Sequence, residues 1–262
     1  MRRNGIDIER QKAFTCRLLA DFAFQWRHIL GGRYNQSTFQ KLATAIIRIV
    51  TLDFNVQEAT TPRQGNGGYH IWLHSLPEWE SFSGHIVRVG GVSIVLSQHP
   101  RHAVTLIRND YQEYIISKAE HRSSEASTAS RTYFIVSIRE VMFYRIDSES
   151  ERCTSPERLF DGTLPPSNAA MEQLLEAVQN SGPMTTLNKL PVEVQDGILD
   201  YVSVGPIQRA VVGCLLNIGS PFTWRCAGRD IEREESHRSR TPWTPVESRV
   251  YFSRSFSGIV YK

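Results

Sequence analysis

The sequence predicts an α+β fold, with an N-terminal helical pair, a central mainly antiparallel sheet and C-terminal helices. Apolar residues first recur at helical spacing. They then crowd into short runs joined by links too brief to hold helices, and return to helical spacing after Ser167. This pattern divides the chain into residues 1–166, the helical pair and sheet, and residues 167–262, a helical region packed on it and ending in a hairpin.

The first helix rests on Phe14, Leu18, Phe22, Trp26 and Leu30, with Gly31-Gly32 where a helix would stop. Ser37-Thr38-Phe39-Gln40 has the form of a capping box, and Phe39, Leu42, Ile46 and Val50 supply the buried stripe of a second helix. Thr60 to Gly68 reads as a loop and Tyr69 to Leu73 as a short aromatic strand. His85 to Val89 and Val92 to Leu96 flank Gly90-Gly91, the signature of a tight hairpin. Ala103 to Ile107, Tyr111 to Ser117, Thr132 to Ile138 and Val141 to Ile146 extend the run of strands into an expected antiparallel meander. Lys118 to Ser130 and Asp147 to Pro166 read as loops.

Ser167 is then placed to cap a helix with Met171, Leu174, Leu175 and Val178 inside. Pro191 opens another, expected to bury Val194, Ile198 and Tyr201 or Val202, and Pro206 a third, with Ile207, Val211, Cys214 and Leu215 inward. Arg249 to Phe252 with Gly258 to Tyr261 form the terminal hairpin.

With 262 residues, 40% hydrophobic and 22% charged, the chain has the composition of a globular protein able to bury a core. No apolar run reaches the roughly 18 to 20 residues that span a bilayer, and Met1-Arg2-Arg3-Asn4-Gly5 leads into no signal-peptide core; a cytoplasmic protein without a membrane partner is expected. Cys16, Cys153, Cys214 and Cys226 are scattered, which favours reduced thiols, with Cys16 and Cys214 in the core. Arg and Lys outnumber acids in the first fifty residues, so Arg10, Arg17 and Arg27 could form a basic face toward RNA or simply a solvated helix face.

His70 and His74 share a face on either a helix or a strand, but no acid or thiol joins them, and His99 with His102 brackets a turn-like Pro100-Arg101; no metal site is expected. Gly65, Gly67 and Gly68 precede a strand where a phosphate loop would follow one. No serine or cysteine has an identifiable basic partner. Asp110 and Glu113, within Asn109-Asp110-Tyr111-Gln112-Glu113, are the acidic pair set closest together between two apolar runs. They read either as a solvated hairpin turn or as a catalytic pair.

That pentapeptide resembles the Asp-Asp-x-x-Glu signature of the fungal arginine-containing cyclodipeptide synthases, with Asn109 where the first Asp of the signature stands. The resemblance implies an aminoacyltransferase of secondary metabolism that makes arginine-containing diketopiperazines from arginyl-tRNA and a second aminoacyl-tRNA without a cofactor. Asp110 and Glu113 would hold the guanidinium and move the α-amine proton, Asn109 would contact substrate, and Arg10, Arg17 and Arg27 would meet tRNA phosphates. A second segment, residues 190–224, resembles an F-box in Leu190-Pro191, Glu193, Ile198-Leu199, Tyr201 and Trp224. It implies a noncatalytic protein whose small helical unit docks the adaptor of a ubiquitin ligase, although two helices packed into a core account for the same apolar positions.

Overall fold

The computed structural model describes residues 4–59, 79–120, 130–178, 186–234 and 247–262. In chain order its helices and strands are α1 (Asn4–Gln25), α2 (Arg27–Leu30), α3 (Gln36–Val50), β1 (Asn55–Ala59), β2 (Ile86–Val89), β3 (Val92–Leu96), α4 (Pro100–Glu120), β4 (Arg131–Val136), β5 (Glu140–Ile146), β6 (Glu151–Cys153), β7 (Glu157–Arg158), α5 (Asn168–Val178), α6 (Val192–Val202), α7 (Pro206–Leu216), β8 (Arg225–Cys226), β9 (Arg229–Asp230), β10 (Glu247–Phe252) and β11 (Ser255–Tyr261). A turn of 3₁₀ helix, Thr186–Lys189, precedes α6. The fold class is α+β. Among the described residues no helix is long and apolar enough to cross a membrane. The expected strand over Tyr69 to Leu73, the glycines from Gly65 to Gly68 and the His70/His74 pair lie outside the described residues.

The chain forms two compact units whose segments interleave, 1–29, 48–80 and 181–262 in one and 30–47 and 81–180 in the other, so the division differs from a single cut after residue 166. In the first unit, β1, β10 and β11 make an antiparallel three-stranded sheet. Phe14, Leu18 and Phe22 of α1 and Trp26, just after it, are buried as expected. Phe14 stacks on Trp224 at 5.5 Å, and Trp79 meets Trp26 and Phe252 edge-on at 5.5 and 5.2 Å. The β10–β11 hairpin turns on Ser253 and Arg254, at φ of 46° and 68°, a left-handed pair without glycine.

The second unit holds the larger sheet, ordered β2-β3-β4-β5-β6 with β7 also on β5. Its pairings are antiparallel except β3 with β4, which is parallel. The exception has a direct cause: residues 103–107 and 111–117, expected as strands, belong to the helix α4, which supplies the crossover that parallel neighbours need. Ala103, Ile107, Tyr111 and partly buried Tyr114 form a stripe of helical period. It packs on Val95, Tyr133, Ile135, Met142, Tyr144 and Ile146, the side chains on one sheet face. Short apolar runs satisfy strand and helix templates alike, and here length and Pro100 at the helix start decide between them. Helix α5 packs on β3, β5 and β7 and none of its residues joins that cluster, so it covers the opposite face.

Gly90, at φ 56°, closes the β2–β3 hairpin, and the Ser167 hydroxyl accepts the Ala170 amide at 3.1 Å to cap α5. The cap of α3, however, is Asn35, whose Oδ1 accepts the Thr38 amide at 2.9 Å, and Ser37 lies inside the first turn. Cys16 and Cys214, expected in the core, are half-buried, and all four cysteines are free thiols.

The helical assignment of α4 is open to measurement. Ile107→Ala removes a fully buried side chain and is expected to cost about 2 to 5 kcal/mol. Ile116→Ala, on the exposed side of the same helix, is expected to stay within about 0.5 kcal/mol. Urea unfolding of the two variants separates this from a strand, in which both apolar runs would contribute to a buried face.

Candidate functional sites

Asp110 and Glu113 lie one helical turn apart on α4 and point to different surroundings. Asp110 is half-buried against β4: its Oδ2 accepts from Arg131 Nη1 at 2.9 Å and from the Tyr133 hydroxyl at 2.6 Å, while Arg131 lies over the Tyr114 ring at 3.7 Å. Glu113 and Asn109 are exposed. Burial and the hydrogen bond to Asp110 raise the Tyr133 phenol far above its ordinary range, so it stays a donor. Beside this group Glu151 accepts two hydrogen bonds from Arg108, at 3.0 and 2.7 Å, and another from the Tyr144 hydroxyl. Burial first, and then Glu151, pushes the Tyr144 phenol up to about 12. Two carboxylates are thus each held by one tyrosine and one arginine where α4 meets the sheet. The sequence carried a signal for the partners of Asp110, because Arg131 and Tyr133 are two apart on a strand and share its face.

The three arginines expected to meet tRNA are committed inside their own unit. Arg10 is buried and donates to Asn217 Oδ1 at 2.8 Å and to the Gly219 carbonyl at 2.5 Å. Arg17 pairs with buried Asp21 at 2.8 Å and lies over Trp224, and Arg27 donates to the Phe24 carbonyl and covers its ring. Asp21 also takes Arg233 at 2.7 Å.

Residues 190–224 depart most from expectation. Val194, Ile198, Tyr201 and Val202 do make one stripe of α6, but the stripe faces outward: Tyr201 is 92% exposed, Val202 55% and Val194 47%. Ile198 is half-buried, and Leu190, Val192, Val204, Leu215 and Leu216 are exposed as well. The buried side of α6 is Gln195 and Leu199, while α7 buries Ile207 and Val211 as its pattern predicts and Ala210 besides, with Cys214 half-buried and Leu215 outside.

Polar bonds explain the inversion. Gln195 Oε1 accepts the Gly219 amide at 2.7 Å, and its Nε2 donates to the Leu190 carbonyl at 2.8 Å. Asp196 accepts from the Ser220 amide and hydroxyl, at 2.9 and 2.6 Å, and from Arg209 at 2.8 Å. Asn188 donates to the Asn217 carbonyl at 2.8 Å. These bonds fasten α6 to the turn after α7, and they join residues whose spacing in the sequence carries no signal of contact. At the N-terminus of α7, Glu58 accepts the Gln208 amide at 2.7 Å. Trp224, which ends the segment, is buried between Phe14, Phe222 and Tyr261.

Compared with known proteins, the chain matches no family model, no curated protein and no solved structure.

Acid offers a handle on the α6 network. Burial alone would raise the Asp196 carboxyl, but the bonds from Ser220 and Arg209 outweigh it and hold the group below the ordinary value of 3.8. The stability this supplies is complete above the unfolded-state value and is lost as pH falls through it toward the lower folded-state value. Between roughly pH 5 and pH 3 the wild type is therefore expected to lose more stability than Asp196→Asn, measured as the difference in urea unfolding midpoints. Parallel pH profiles would remove Asp196 from the network.

Proposed function

We propose that this protein is a noncatalytic adaptor whose α6–α7 helical pair docks the adaptor subunit of a ubiquitin ligase. One observation carries the reading. Within the segment that resembles an F-box, Tyr201 of the motif and its neighbours Val194, Val202 and Val204 make an outward apolar face, the last 65% exposed, while Leu199 and Trp224 of the motif are buried. Two helices that merely filled a core would bury that face as well. Contiguous exposed apolar side chains are costly in water and mark surfaces that another protein covers. Tyr201 has the character of an anchor, since an aromatic ring supplies much contact area for few rotatable bonds and its hydroxyl can meet a polar rim.

The internal bonds fit the same role. Gln195, Asp196 and Arg10 hold the helices to the turn at Asn217–Ser220 without using the outer stripe, so the docking face is formed before a partner arrives. A preorganised face loses less conformational entropy on binding than one that must fold.

Copurification and titration calorimetry with the adaptor subunit of an F-box-type ligase test the proposal. A stable one-to-one complex is expected. Tyr201→Ala is expected to weaken it by about 2 kcal/mol or more, roughly thirtyfold, with little change in unfolding midpoint because the side chain is exposed. Absence of a complex, or a complex indifferent to Tyr201→Ala and Val194→Asp, would remove the reading.

A second reading, a tRNA-dependent cyclodipeptide synthase, has one geometric point in its favour: Asp110 and Glu113 stand one turn apart on a helix, with a phenol and a guanidinium beside Asp110. Mass spectrometry of a host expressing the chain would show arginine-containing diketopiperazines, diminished about 10²- to 10⁴-fold by Glu113→Gln. Glu113 is the informative position because it is exposed, whereas Asp110→Asn also disturbs the contact with Arg131 and Tyr133. No product from the wild type would exclude this chemistry.

A further inference from the structure

The open end of the β2–β3 hairpin meets the start of α4, and two histidines come together there. His85 precedes β2 and stands opposite Leu96, whose amide donates to the His85 carbonyl at 2.7 Å. His102 lies in the first turn of α4. Their ring centroids are 5.7 Å apart and the planes are nearly perpendicular, at 84°. His85 is half-buried and His102 exposed, so solvent reaches the pair.

The heavy-atom contacts of each ring favour one neutral tautomer. His85 Nδ1 is 3.4 Å from the Leu96 carbonyl, and because a carbonyl only accepts, Nδ1 carries the proton and Nε2 keeps its lone pair. His102 Nδ1 is 3.2 Å from Ser97 Oγ. That hydroxyl donates to the His99 carbonyl at 3.0 Å, which leaves Oγ as an acceptor toward His102. Here too the proton is on Nδ1 and the lone pair on Nε2. Among the described residues no donor meets either Nε2.

We propose that His85 and His102 form a two-histidine site for a divalent metal ion of borderline softness, zinc above all, which coordinates through the two Nε2 atoms. Metal-bound histidines characteristically donate their other ring nitrogen to a carbonyl or a polar side chain, and here that outer layer already exists in Leu96 and Ser97. The spacing suits it: with metal–nitrogen bonds of about 2.1 Å, two imidazoles at a tetrahedral angle have ring centres about 5 Å apart. Imidazole suits zinc, copper and nickel. Among the described residues no cluster of three potential ligands occurs, so water fills the remaining positions and the site is accessible and of modest affinity. A bound ion ties the hairpin to α4 across the β3–α4 junction. The site and the docking face belong to different units, and neither depends on the other.

Titration calorimetry of the full chain with zinc chloride in a weakly coordinating buffer tests the site. The wild type is expected to bind one zinc ion here, and His102→Gln and His85→Gln are each expected to weaken binding by about 10- to 100-fold or more, at least the effect of losing an outer-layer partner. Ser97→Ala, which removes only the hydroxyl that orients His102, is expected to weaken it less, and His28→Gln not at all. Unfolding midpoints without metal accompany each variant, and the exposed position of His102 makes its variant decisive if His85→Gln proves unstable. Zinc affinity unchanged in His102→Gln, or no binding by the wild type, overturns the proposal.

Discussion

The arrangement of α6 and α7 depends on a tight turn at Gly219. This residue has φ 79°, and a Cβ there would stand 2.5 Å from Leu199 Cδ1 and 2.9 Å from Asp196 Oδ1. Only glycine meets both demands, the left-handed backbone and the close approach. With the turn in place its amide faces Gln195 and its carbonyl faces Arg10, two buried polar side chains that would be costly to leave unpaired. The inward face of α6 is therefore set by directional hydrogen bonds as much as by apolar burial. A helix fixed in this way has its orientation decided before its apolar stripe is satisfied, and the stripe is left outside.

That reversal also explains why the sequence was legible in some places and not in others. Periodicity reports which residues share a face. It does not report which face is buried. On α1, α5 and α7 the apolar stripe is also the one covered by neighbouring elements, so spacing and burial agree apart from the last turn of α7. On α6 the spacing was read correctly and the burial was not, because Gln195 and Asp196 find partners more than twenty residues away in the chain. The error at α4 is of another kind. Ala103 to Ile107 and Tyr111 to Ser117 are each too short to separate a period of two from one near four, and only the continuous run to Ile107, Tyr111 and Tyr114 reveals the helix. The Gly90-Gly91 turn, by contrast, is a local necessity and could be read locally.

The polar residues teach a related lesson about sites. Asp110, Arg10 and Arg17 stand out in the sequence for their charge and chain position, and each proves to be bonded within the fold, Arg10 to a partner 207 residues away. Charge that is already matched by a neighbour at hydrogen-bond distance offers less to a ligand than the same charge in water. His85 and His102 show the converse. Neither was paired with the other by spacing, being on different elements, yet the fold sets their rings side by side and occupies the inner nitrogen of each.

The interleaving of the two units bears on the order in which the chain can acquire structure during synthesis. Residues 30–180 contain every strand of the larger sheet with α4 and α5, so that unit is complete in sequence when its last helix emerges from the ribosome. The other unit begins with α1, yet α1 packs on α7 and β11, and β11 ends at Tyr261. Phe14, Leu18, Phe22 and Trp26 must therefore wait for β11 before their final cover exists. During that interval α1 and Trp26 present an uncovered aromatic face, a segment on which a cell's chaperones would act.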